Sequence, residues 1–515
     1  MKRLTALALC LCLLLCGCKK PAGAYVPTGD ALLPEEGYTG TYIPNLPETD
    51  PQQLNLAYYP ARSLNPYLCT DYTNRTLFTL LYQSLFTTDR DYVTRPMLCS
   101  RYTVSEDAKS YTFYLENATF SDGSALTAAD VAASLTAARE SDYYKGRFLH
   151  ITEIVPSADG GVTLQLDTPY ENLPLILDIP IVKAAQVAEE RPIGTGPYVL
   201  YTATGGESLK RRSDWWCSHI QLPFSAETIT LFVAENTTQI RDQFEFFGLN
   251  LVCADPGSDR YADYRCDYEL FDCENGIFLY LATSRDSNIF KNDAVRVALT
   301  YAVDRDLLVE DYYRGFARSA TLPVSPLSPY YNQTLADRYG YDGGEAMSAA
   351  VAGANLPADT VVTFLVNSDD SLRLRVARLI AESLRNCGLT VQMKELSTES
   401  YRYALSRKEY DIYLGQTKLS ANMDISSFFG TYTSLNYGGL ADPALYQMSL
   451  DAMTNAGNFY KLYQSVMEEG QLCPILFQSD AVFVQRGALP DLAPARDGIF
   501  HYSLGRTLED ALIKE

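Results

Sequence analysis

The sequence predicts an α/β fold, because stretches typical of strands alternate with amphipathic helices along most of its 515 residues. The clearest unit lies in 360–396, where the apolar run VVTFLV precedes a helix over 371–386 and a second strand starting at Val391. A strand–helix–strand unit of this size implies two parallel strands joined by a right-handed crossover. A second stretch, 276–315, has the same order of strand and helix.

The N-terminus has the features of a bacterial lipoprotein signal. Lys2 and Arg3 precede the apolar run Leu4 to Leu15, which is too short to span a bilayer as a mature helix. The run ends in Leu15-Cys16-Gly17-Cys18, which is similar to a lipobox, so Cys18 is expected to be lipidated. Residues 19–51 are rich in Pro, Gly, Thr and Glu and predict a flexible tether. No other apolar stretch reaches transmembrane length, so we expect a body held by its N-terminus on the extracytoplasmic face of a membrane.

The first part of the body contains strand, turn and helix signals in quick succession. Alternating apolar and polar residues from Gln53 predict the first strand, and a Pro-containing turn then leads into a helix that carries Leu77, Leu80, Leu81 and Leu85. Thr127 and Asp130 form a capping-box pattern at the start of another helix. The glycines of IGTGPYVL (193–200) lack the remaining residues of a phosphate-binding loop, so they predict a turn with close backbone approach followed by a strand.

The stretch 276–315 is predicted to contain a buried strand followed by a helix. Ile277 to Ala282 reads as a buried strand, and Asn292 can cap a helix that starts at Asp293. One apolar stripe at helical spacing is expected along that helix: Val295, Leu299, Ala302, Val303 and Leu307. Gly315 is a plausible stop signal. Further along, Tyr410 to Leu414 (YDIYL) predicts another strand.

Composition and motifs exclude several classes of function. The net charge of −21 argues against binding to nucleic acid or to an anionic membrane surface, both of which need Lys and Arg. The three His residues are scattered, which argues against a histidine-based metal centre. No HExxH, GxSxG or Walker motif is present. We therefore expect no enzyme activity, no metal and no cofactor.

Eight cysteines lie in the body of the chain: Cys69, Cys99, Cys217, Cys253, Cys266, Cys273, Cys387 and Cys473. Export would permit disulfides, and three of the eight lie close together in the sequence. Their spacings match no zinc pattern. The sequence leaves open whether these cysteines are paired or are free buried thiols.

Four motifs in order resemble the extracytoplasmic solute-binding proteins of ABC transporters that take up oligopeptides, dipeptides and nickel (family 5). They are SLNPY with LLYQSLF, the run SEDAKSYTFYLE to AADVAASL, GTGPY followed by SDWW, and DAVRVALTYAVDRDLL. The motifs cover about 250 residues in register, and weaker similarity continues to the C-terminus.

This resemblance implies a two-lobed periplasmic-binding-protein-like fold of type II. Lobe I is expected to comprise 52–80, 190–278 and 475–515, with an inserted subdomain over 81–189, and lobe II to comprise 283–470. The lobes would then be joined near Ala282 and near Gly470 and would close around a solute. The closed lobes would present a surface to membrane permease subunits.

Ligand-binding residues follow from the same resemblance. In the family, the segment after the LNP turn lines the cleft. The resemblance therefore implies that Tyr67, Thr70, Asp71 and Tyr72 contact the ligand in this chain. Peptide-binding relatives place an aspartate for the peptide ammonium group after the strand that matches 410–414. In this chain that position is Leu419 or Ala421, depending on the direction of alignment. The loop instead offers a further set of candidates: Gln416, Thr417, Lys418 and Asn422.

The sequence therefore favours a substrate-binding lipoprotein of an ABC importer that captures a peptide-like solute. The missing aspartate and Lys418 raise the alternative of a modified peptide, a glycan-like solute or an anionic solute. Nickel is disfavoured because His is scarce. A different function class also stays open, in which the same fold serves as a non-transport sensor or surface-binding protein.

Overall fold

The computed structural model describes residues 53–254, 264–431, 433–437, 440–494, 496 and 498–513. The predicted signal peptide (1–18), Cys18 and the predicted tether (19–51) lie outside the described residues. Within the described part, no helix combines the length and the apolar composition that crossing a membrane requires.

The strands have the following bounds: β1 Gln53–Tyr58, β2 Gln83–Ser84, β3 Phe86–Thr88, β4 Thr94–Pro96, β5 Cys99–Val104, β6 Ser110–Leu115, β7 Ile151–Pro156, β8 Val162–Leu166, β9 Pro180–Ile181, β10 Tyr198–Ala203, β11 Gly206–Arg211, β12 Thr228–Val233, β13 Leu251–Ala254, β14 Tyr268–Thr283, β15 Ala317–Ser319, β16 Val361–Asn367, β17 Thr390–Leu396, β18 Ile412–Lys418 and β19 Leu472–Gln485.

The α-helices have the following bounds: α1 Tyr72–Arg75, α2 Phe78–Leu81, α3 Ala128–Glu140, α4 Thr237–Glu245, α5 Asp293–Ala298, α6 Arg305–Asp311, α7 Gln333–Ala336, α8 Glu345–Gly353, α9 Ser371–Asn386, α10 Thr398–Ser406, α11 Ser426–Phe429, α12 Pro443–Thr454, α13 Phe459–Glu469 and α14 Leu508–Ala511. Short 3-10 helices occupy Lys145–Phe148, Leu173–Ile176, Ala184–Gln186, Leu299–Ala302, Asp337–Tyr339 and Ala456–Asn458.

One large mixed sheet runs through the molecule in the order β10-β11-β12-β1-β13-β19-β14-β18-β16-β17. Its two long central strands, β14 and β19, are antiparallel to each other. On one side, β1 pairs in parallel with β12 and β13, and on the other side β16 pairs in parallel with β17 and β18. The two long strands therefore connect two halves that each contain parallel α/β units.

The apolar residues divide between the two halves of the sheet. One core is formed mostly by residues between 54 and 251 together with 482–511. Two further clusters are formed mostly by residues between 278 and 477. Burial of this much apolar surface is the main favourable term in folding. Tyr92 and Leu175, from the segment 81–189, pack into the second half rather than the first.

The segment 81–189 carries a sheet of its own, in the order β5-β6-β8-β7. Helix α3 packs on it, and the predicted capping box of Thr127 and Asp130 is present at its first turn. This segment contributes several of the side chains that meet the second half of the sheet.

The predicted crossover unit is confirmed. Strands β16 and β17 are parallel, and α9 begins at the N-cap Asp370 and runs over the predicted residues. The turn in GTGPY is confirmed as well: a Cβ on Gly194 would lie 2.3 Å from the carbonyl oxygen of Leu81, and one on Gly196 would lie 2.4 Å from that of Leu80. Only glycine fits there, because the backbone of α2 occupies the space a side chain would need.

The single helix predicted from Asp293 is wrong. The structure has α5, a 3-10 turn and α6, with Val303 and Asp304 extended between the turn and α6. Asp304 caps α6 by accepting a hydrogen bond from the backbone N–H of Leu307, so the phase of the helix restarts there. Leu307 consequently leaves the predicted stripe and is 39% exposed.

The eight body cysteines are free thiols, and all except Cys253 are buried. Among the described residues, no group of three or more His, Cys, Asp or Glu side chains is arranged to hold a metal ion.

Candidate ligand-binding site

The antiparallel pairing of β14 with β19 is interrupted where the two halves of the sheet meet. Cys273 pairs with Asp480 and Glu274 with Ser479, but the next regular pair is Phe278 with Phe477. Asn275, Gly276 and Ile277 form a bulge, which turns polar groups away from the ladder. Gly276 adopts φ +73°, and a Cβ there would lie 2.8 Å from the carbonyl oxygen of Leu419.

Asn275 binds groups from two other strands. Its side-chain Nδ2 donates to Oδ1 of Asp480 at 3.1 Å, and its carbonyl oxygen accepts from Nζ of Lys418 at 2.7 Å. Lys418 also donates to the hydroxyl of Tyr143 at 3.2 Å, and its Nζ lies 4.4 Å from the centre of that ring. We call Tyr72, Tyr143, Asn275, Lys418 and Asp480 the central junction.

Tyr72 joins the junction from α1. The surrounding protein atoms, followed by the Asp480 carboxylate and the neighbouring Cys253, raise the pKa of Tyr72 well above its usual value. Tyr72 is nevertheless 38% exposed to solvent. Close surroundings combined with solvent access are expected for a side chain in a cleft.

A buried carboxylate, that of Glu274, lies immediately before the bulge in β14. Glu274 accepts hydrogen bonds from the hydroxyls of Tyr92 and Ser325, each at 2.5 Å. Nε of Arg496 lies 3.9 Å from the same carboxylate, and Nη2 of Arg496 donates to the carbonyl oxygen of Leu419 at 2.8 Å. Glu274 thus links the segment 81–189, the second half of the sheet and the C-terminal segment.

Further polar contacts join the segment 81–189 to the second half. The side chain of Asn172 donates to the hydroxyl of Tyr330 at 3.1 Å. His150 lies 3.6 Å from Oδ2 of Asp424 and 3.0 Å from Oδ1 of Asp167. Burial alone would lower the pKa of His150, but the hydrogen bonds and charges of these two carboxylates outweigh it and raise that pKa.

The ligand-binding residues predicted near the LNP turn lie in three different places. Tyr67 is buried, and its hydroxyl donates to the carbonyl oxygen of Pro180 at 2.6 Å. Thr70 and Asp71 line an open cavity of about 420 Å³ together with Arg62, Glu190 and Arg191. Asp71 caps α1 and pairs with Arg62 at 2.8 Å. Tyr72 is the residue of this group that reaches the central junction.

The residues predicted after β18 also differ in position. Lys418 belongs to the junction, while Oε1 of Gln416 accepts from Gln478 at 3.3 Å. Thr417 is half-buried at the end of β18. Asn422 is buried near the hydroxyl of Tyr170. The structure thus brings Tyr72 and Lys418 to the junction and places the other predicted residues outside it.

Sequence reasoning missed Tyr143, Asn275 and Asp480. A signal for two of them was present: Glu274-Asn275-Gly276 and Gln478-Ser479-Asp480 are polar stretches that lie next to the apolar runs of two long strands. Polar side chains inside buried strands need partners, so such interruptions indicate a functional or structural polar site. Tyr143 carried no comparable signal.

The comparisons with known proteins agree with this architecture. The profile described as bacterial extracellular solute-binding proteins, family 5 middle, matches residues 94–439. The glutathione-binding protein GsiB of Salmonella typhi is 27% identical over 355 residues, which cover 64% of this chain and 67% of GsiB.

Solved structures show the same fold. The ABC transporter substrate binding protein CtaP from Listeria monocytogenes has a TM-score of 0.68 at 18% identity, covering 84% of this chain and 94% of CtaP. The structure of AppA from Clostridium difficile has a TM-score of 0.70 at 15% identity, covering 87% of this chain and 98% of AppA. The predicted two-lobed α/β fold of type II is confirmed, and the chain belongs to the family 5 extracellular solute-binding proteins of ABC transporters.

Proposed function

We propose that the chain is the substrate-binding lipoprotein of an ABC importer and captures a peptide-like solute between its two lobes. The observation that carries the proposal is the central junction, where Lys418 and Asp480 bind Asn275 in the bulge of β14 and are themselves contacted by Tyr143 and Tyr72. Relatives include a glutathione-binding protein, and structures of the same fold include an oligopeptide-binding protein in complex with a nonapeptide. A solute bound by both lobes would shift the population toward the closed state, from which a permease receives it.

The proposed division of the chain follows the two cores. Lobe I comprises 52–80, 190–278 and 475–515 with the inserted subdomain 81–189, and lobe II comprises 283–470. The strands β14 and β19 then supply both connections between lobes. The contact of Tyr92 and Leu175 with the second core supports a role for the subdomain in closing the cleft.

A thermal-shift screen tests the capture of a solute. A ligand that binds the folded state alone raises Tm, by an amount equivalent to about 2.7 kcal/mol at 100 times Kd. We expect hits in a library of di- and tripeptides that includes glutathione, followed by a measured Kd and a one-to-one stoichiometry. If no solute from peptide, glycan, organic-anion and metal libraries shifts Tm, the proposal is refuted.

In a second candidate function, the same fold binds a different class of ligand and serves in sensing or surface binding instead of transport. Leu419 and Ala421, where peptide binders carry the aspartate for an ammonium group, are 3% and 2% exposed and pack in an apolar cluster. This supports a non-transport sensor or surface-binding protein for a glycan-like or anionic solute. Hits confined to glycans or organic anions, and absence of solute uptake in a cell that depends on the chain, would favour it.

We propose that a lipid on Cys18 anchors the chain to the membrane. The support for this is the sequence alone, namely the basic start, the apolar run and the similarity to a lipobox. Replacement of Cys18 by alanine is expected to move the chain from the membrane fraction to the soluble extracytoplasmic fraction. Mass spectrometry of the N-terminal peptide should find a diacylglycerol on the Cys18 thiol. An unmodified thiol in a membrane-bound chain would refute the anchor.

A further inference from the structure

His150 is a buried histidine at the contact between the inserted segment 81–189 and the second half of the sheet. It lies directly before β7 and is 8% exposed. Its ring reaches Asp424 in the loop before α11, and in a second contact between the same two parts Oγ1 of Thr454 lies 3.2 Å from the carbonyl oxygen of Pro169. Both contacts have to break when the two parts move apart, so His150 lies where opening can be controlled.

The ring of His150 meets a carboxylate at each of its two nitrogens. Nδ1 lies 3.0 Å from Oδ1 of Asp167, which belongs to the same segment, and Nε2 lies 3.6 Å from Oδ2 of Asp424, which belongs to the second half. Carboxylates only accept hydrogen bonds, and an imidazole carries N–H groups on both nitrogens only when it is protonated. A neutral ring would turn a lone pair toward one of the two acids. The geometry therefore fits the charged ring.

Asp424 is held in its charged form at this contact. Its Oδ1 accepts from the backbone N–H of Ser426 at 2.8 Å, and its side chain is 10% exposed. Burial alone would raise the pKa of Asp424, but the hydrogen bonds and charge of His150, together with those of Ser426, lower it. Oγ of Ser426 also lies 3.4 Å from Nε2 of His150 and could donate to a neutral ring. Loss of the ring proton thus replaces an ion pair with a neutral hydrogen bond.

The other titratable groups around these acids keep their protonation state near neutral pH. Burial, with the Asp424 charge among the further causes, raises the pKa of three tyrosines: Tyr170, Tyr446 and Tyr463. Arg139 on α3 donates to the carbonyl oxygen of Ile151 at 3.2 Å, and a guanidinium stays charged. In this cluster, His150 is the group whose charge changes near neutral pH.

We propose that His150 is a proton-operated latch, which in its charged form joins the inserted segment to the loop before α11 and favours the closed cleft, and which favours opening once it loses its proton. The inference rests on the proposed closure of the lobes around a solute and adds a regulating proton to it. Opening removes Asp424 from the ring but leaves Asp167, so the closed state binds the proton more tightly than the open state.

The direction of the pH dependence follows from this difference. Burial lowers the pKa of His150, but the hydrogen bonds and charges of Asp424 and Asp167 outweigh burial and raise it. The contribution of the latch to closure is therefore complete below about pH 6.5 and is lost as the pH rises through the raised pKa. Because a proton that favours the closed state also favours solute binding, solute should be held more tightly in acid and released more readily in alkali.

Histidine NMR tests the contact on the full chain. The protein has three histidines, so ring-labelled histidine gives three signals, which His→Gln variants assign. We expect the pKa of His150 to lie above 6.5 and to fall in Asp424→Asn, which keeps an acceptor for the N–H of Ser426 but removes the charge. His501, whose pKa is lowered by burial, is the internal control and should not respond. An unchanged His150 pKa in Asp424→Asn would overturn the latch.

Small-angle X-ray scattering of the ligand-free chain tests closure. We expect a smaller radius of gyration at about pH 5.5 than at about pH 8, and loss of this difference in both His150→Gln and Asp424→Asn. The matched control is His501→Gln, which removes a different histidine and should keep the difference. If the radius of wild type changes no more than that of the two latch variants, the proposal is overturned.

Solute affinity provides the functional measurement. The probe is the tightest-binding compound among glutathione and the di- and tripeptides, and its Kd is measured at the same two pH values. We expect wild type to bind about threefold to tenfold more weakly at the higher pH, and His150→Gln to lose this change. An equal pH dependence in both would overturn the latch and leave solute capture standing. If no solute binds, capture is refuted, and the scattering comparison still decides the latch because it needs no ligand.

Discussion

Removal of the buried guanidinium of Arg305 is expected to destabilise the second half of the sheet strongly. Its Nε donates to the carbonyl oxygens of Ala320 at 3.0 Å and Pro474 at 2.9 Å. Nη1 donates to those of Thr300 at 2.9 Å and Val303 at 3.2 Å, and Nη2 donates to Oγ1 of Thr300 at 2.8 Å. One side chain therefore ties the turn after α5, the start of α6, the segment after β15 and strand β19 together.

Replacement of Arg305 by methionine keeps the apolar stem and removes every donor. Five buried hydrogen bonds are then lost at about 0.5–1 kcal/mol each, which gives a total loss of ~3–5 kcal/mol. Desolvation lowers the pKa of Arg305, but a guanidinium remains charged at neutral pH. Lysine at this position keeps the charge with fewer, differently placed donors and should fall between methionine and arginine.

Urea unfolding followed by two signals measures the loss. Both tryptophans, Trp215 and Trp216, pack in the first core, so their fluorescence reports the first half of the sheet, whereas far-UV circular dichroism reports both halves. With an m-value of about 2.5 kcal/mol/M, the dichroism transition of Arg305→Met should move down by roughly 1–2 M. The control is Arg378→Met, which removes an exposed ion pair with Glu395 and should cost about 0–1 kcal/mol. Equal midpoints for the two variants would refute the argument.

Three further predictions concern the contacts between segments. The pKa of His150 is raised above 6.5, so the stability that its contact with Asp424 provides should be complete below about pH 6.5. That stability should be lost as the pH rises through the raised pKa. The resulting change of Tm should disappear in His150→Gln. Tyr92→Phe should lose about 1.5–3 kcal/mol in thermal unfolding, because it removes a hydrogen bond to the buried carboxylate of Glu274, and an unchanged Tm would contradict that role. Gly196→Ala should lower Tm or the yield of folded protein, since its Cβ would meet backbone at 2.4 Å, whereas Gly205→Ala, with nothing within 4 Å, should not.

The elements that could be predicted from the sequence are those specified by neighbouring residues. The crossover over 360–396, the capping box of α3 and the close approach at GTGPY depend on periodicity, caps and glycine, which act over a few residues. The error at Leu307 has the same origin. Apolar spacing continued smoothly through the run, but Asp304 is a stronger local signal that starts a new helix.

The central junction could not be predicted from local patterns, because its five residues lie far apart in the sequence. Residue 72 follows the first strand, 143 lies in the inserted segment, 275 and 480 lie on the two long strands, and 418 ends β18. Which of them meet depends on the register of β14 with β19 and on the bulge between Glu274 and Phe278. The resemblance to a family pointed to Tyr72 and Lys418, but it carried no information about an acid on β19.

Polar contacts join the inserted segment 81–189 to the second half of the sheet, and such contacts suit two surfaces that must separate when the protein opens. These contacts include Asn172 with Tyr330, Lys418 with Tyr143, and His150 with Asp424, and Tyr92 and Ser325 meet at Glu274 on β14. Polar partners that separate regain hydrogen bonds to water, so parting them costs far less than exposing an apolar interface of the same area. A binding protein has to release its solute as well as enclose it, and polar contacts of this kind lower the free energy of separating the two surfaces, whereas the apolar packing of Tyr92 and Leu175 raises it. Glu274 is the exception, since its buried carboxylate is satisfied from three segments at once, and opening would therefore have to hydrate it together with Arg496.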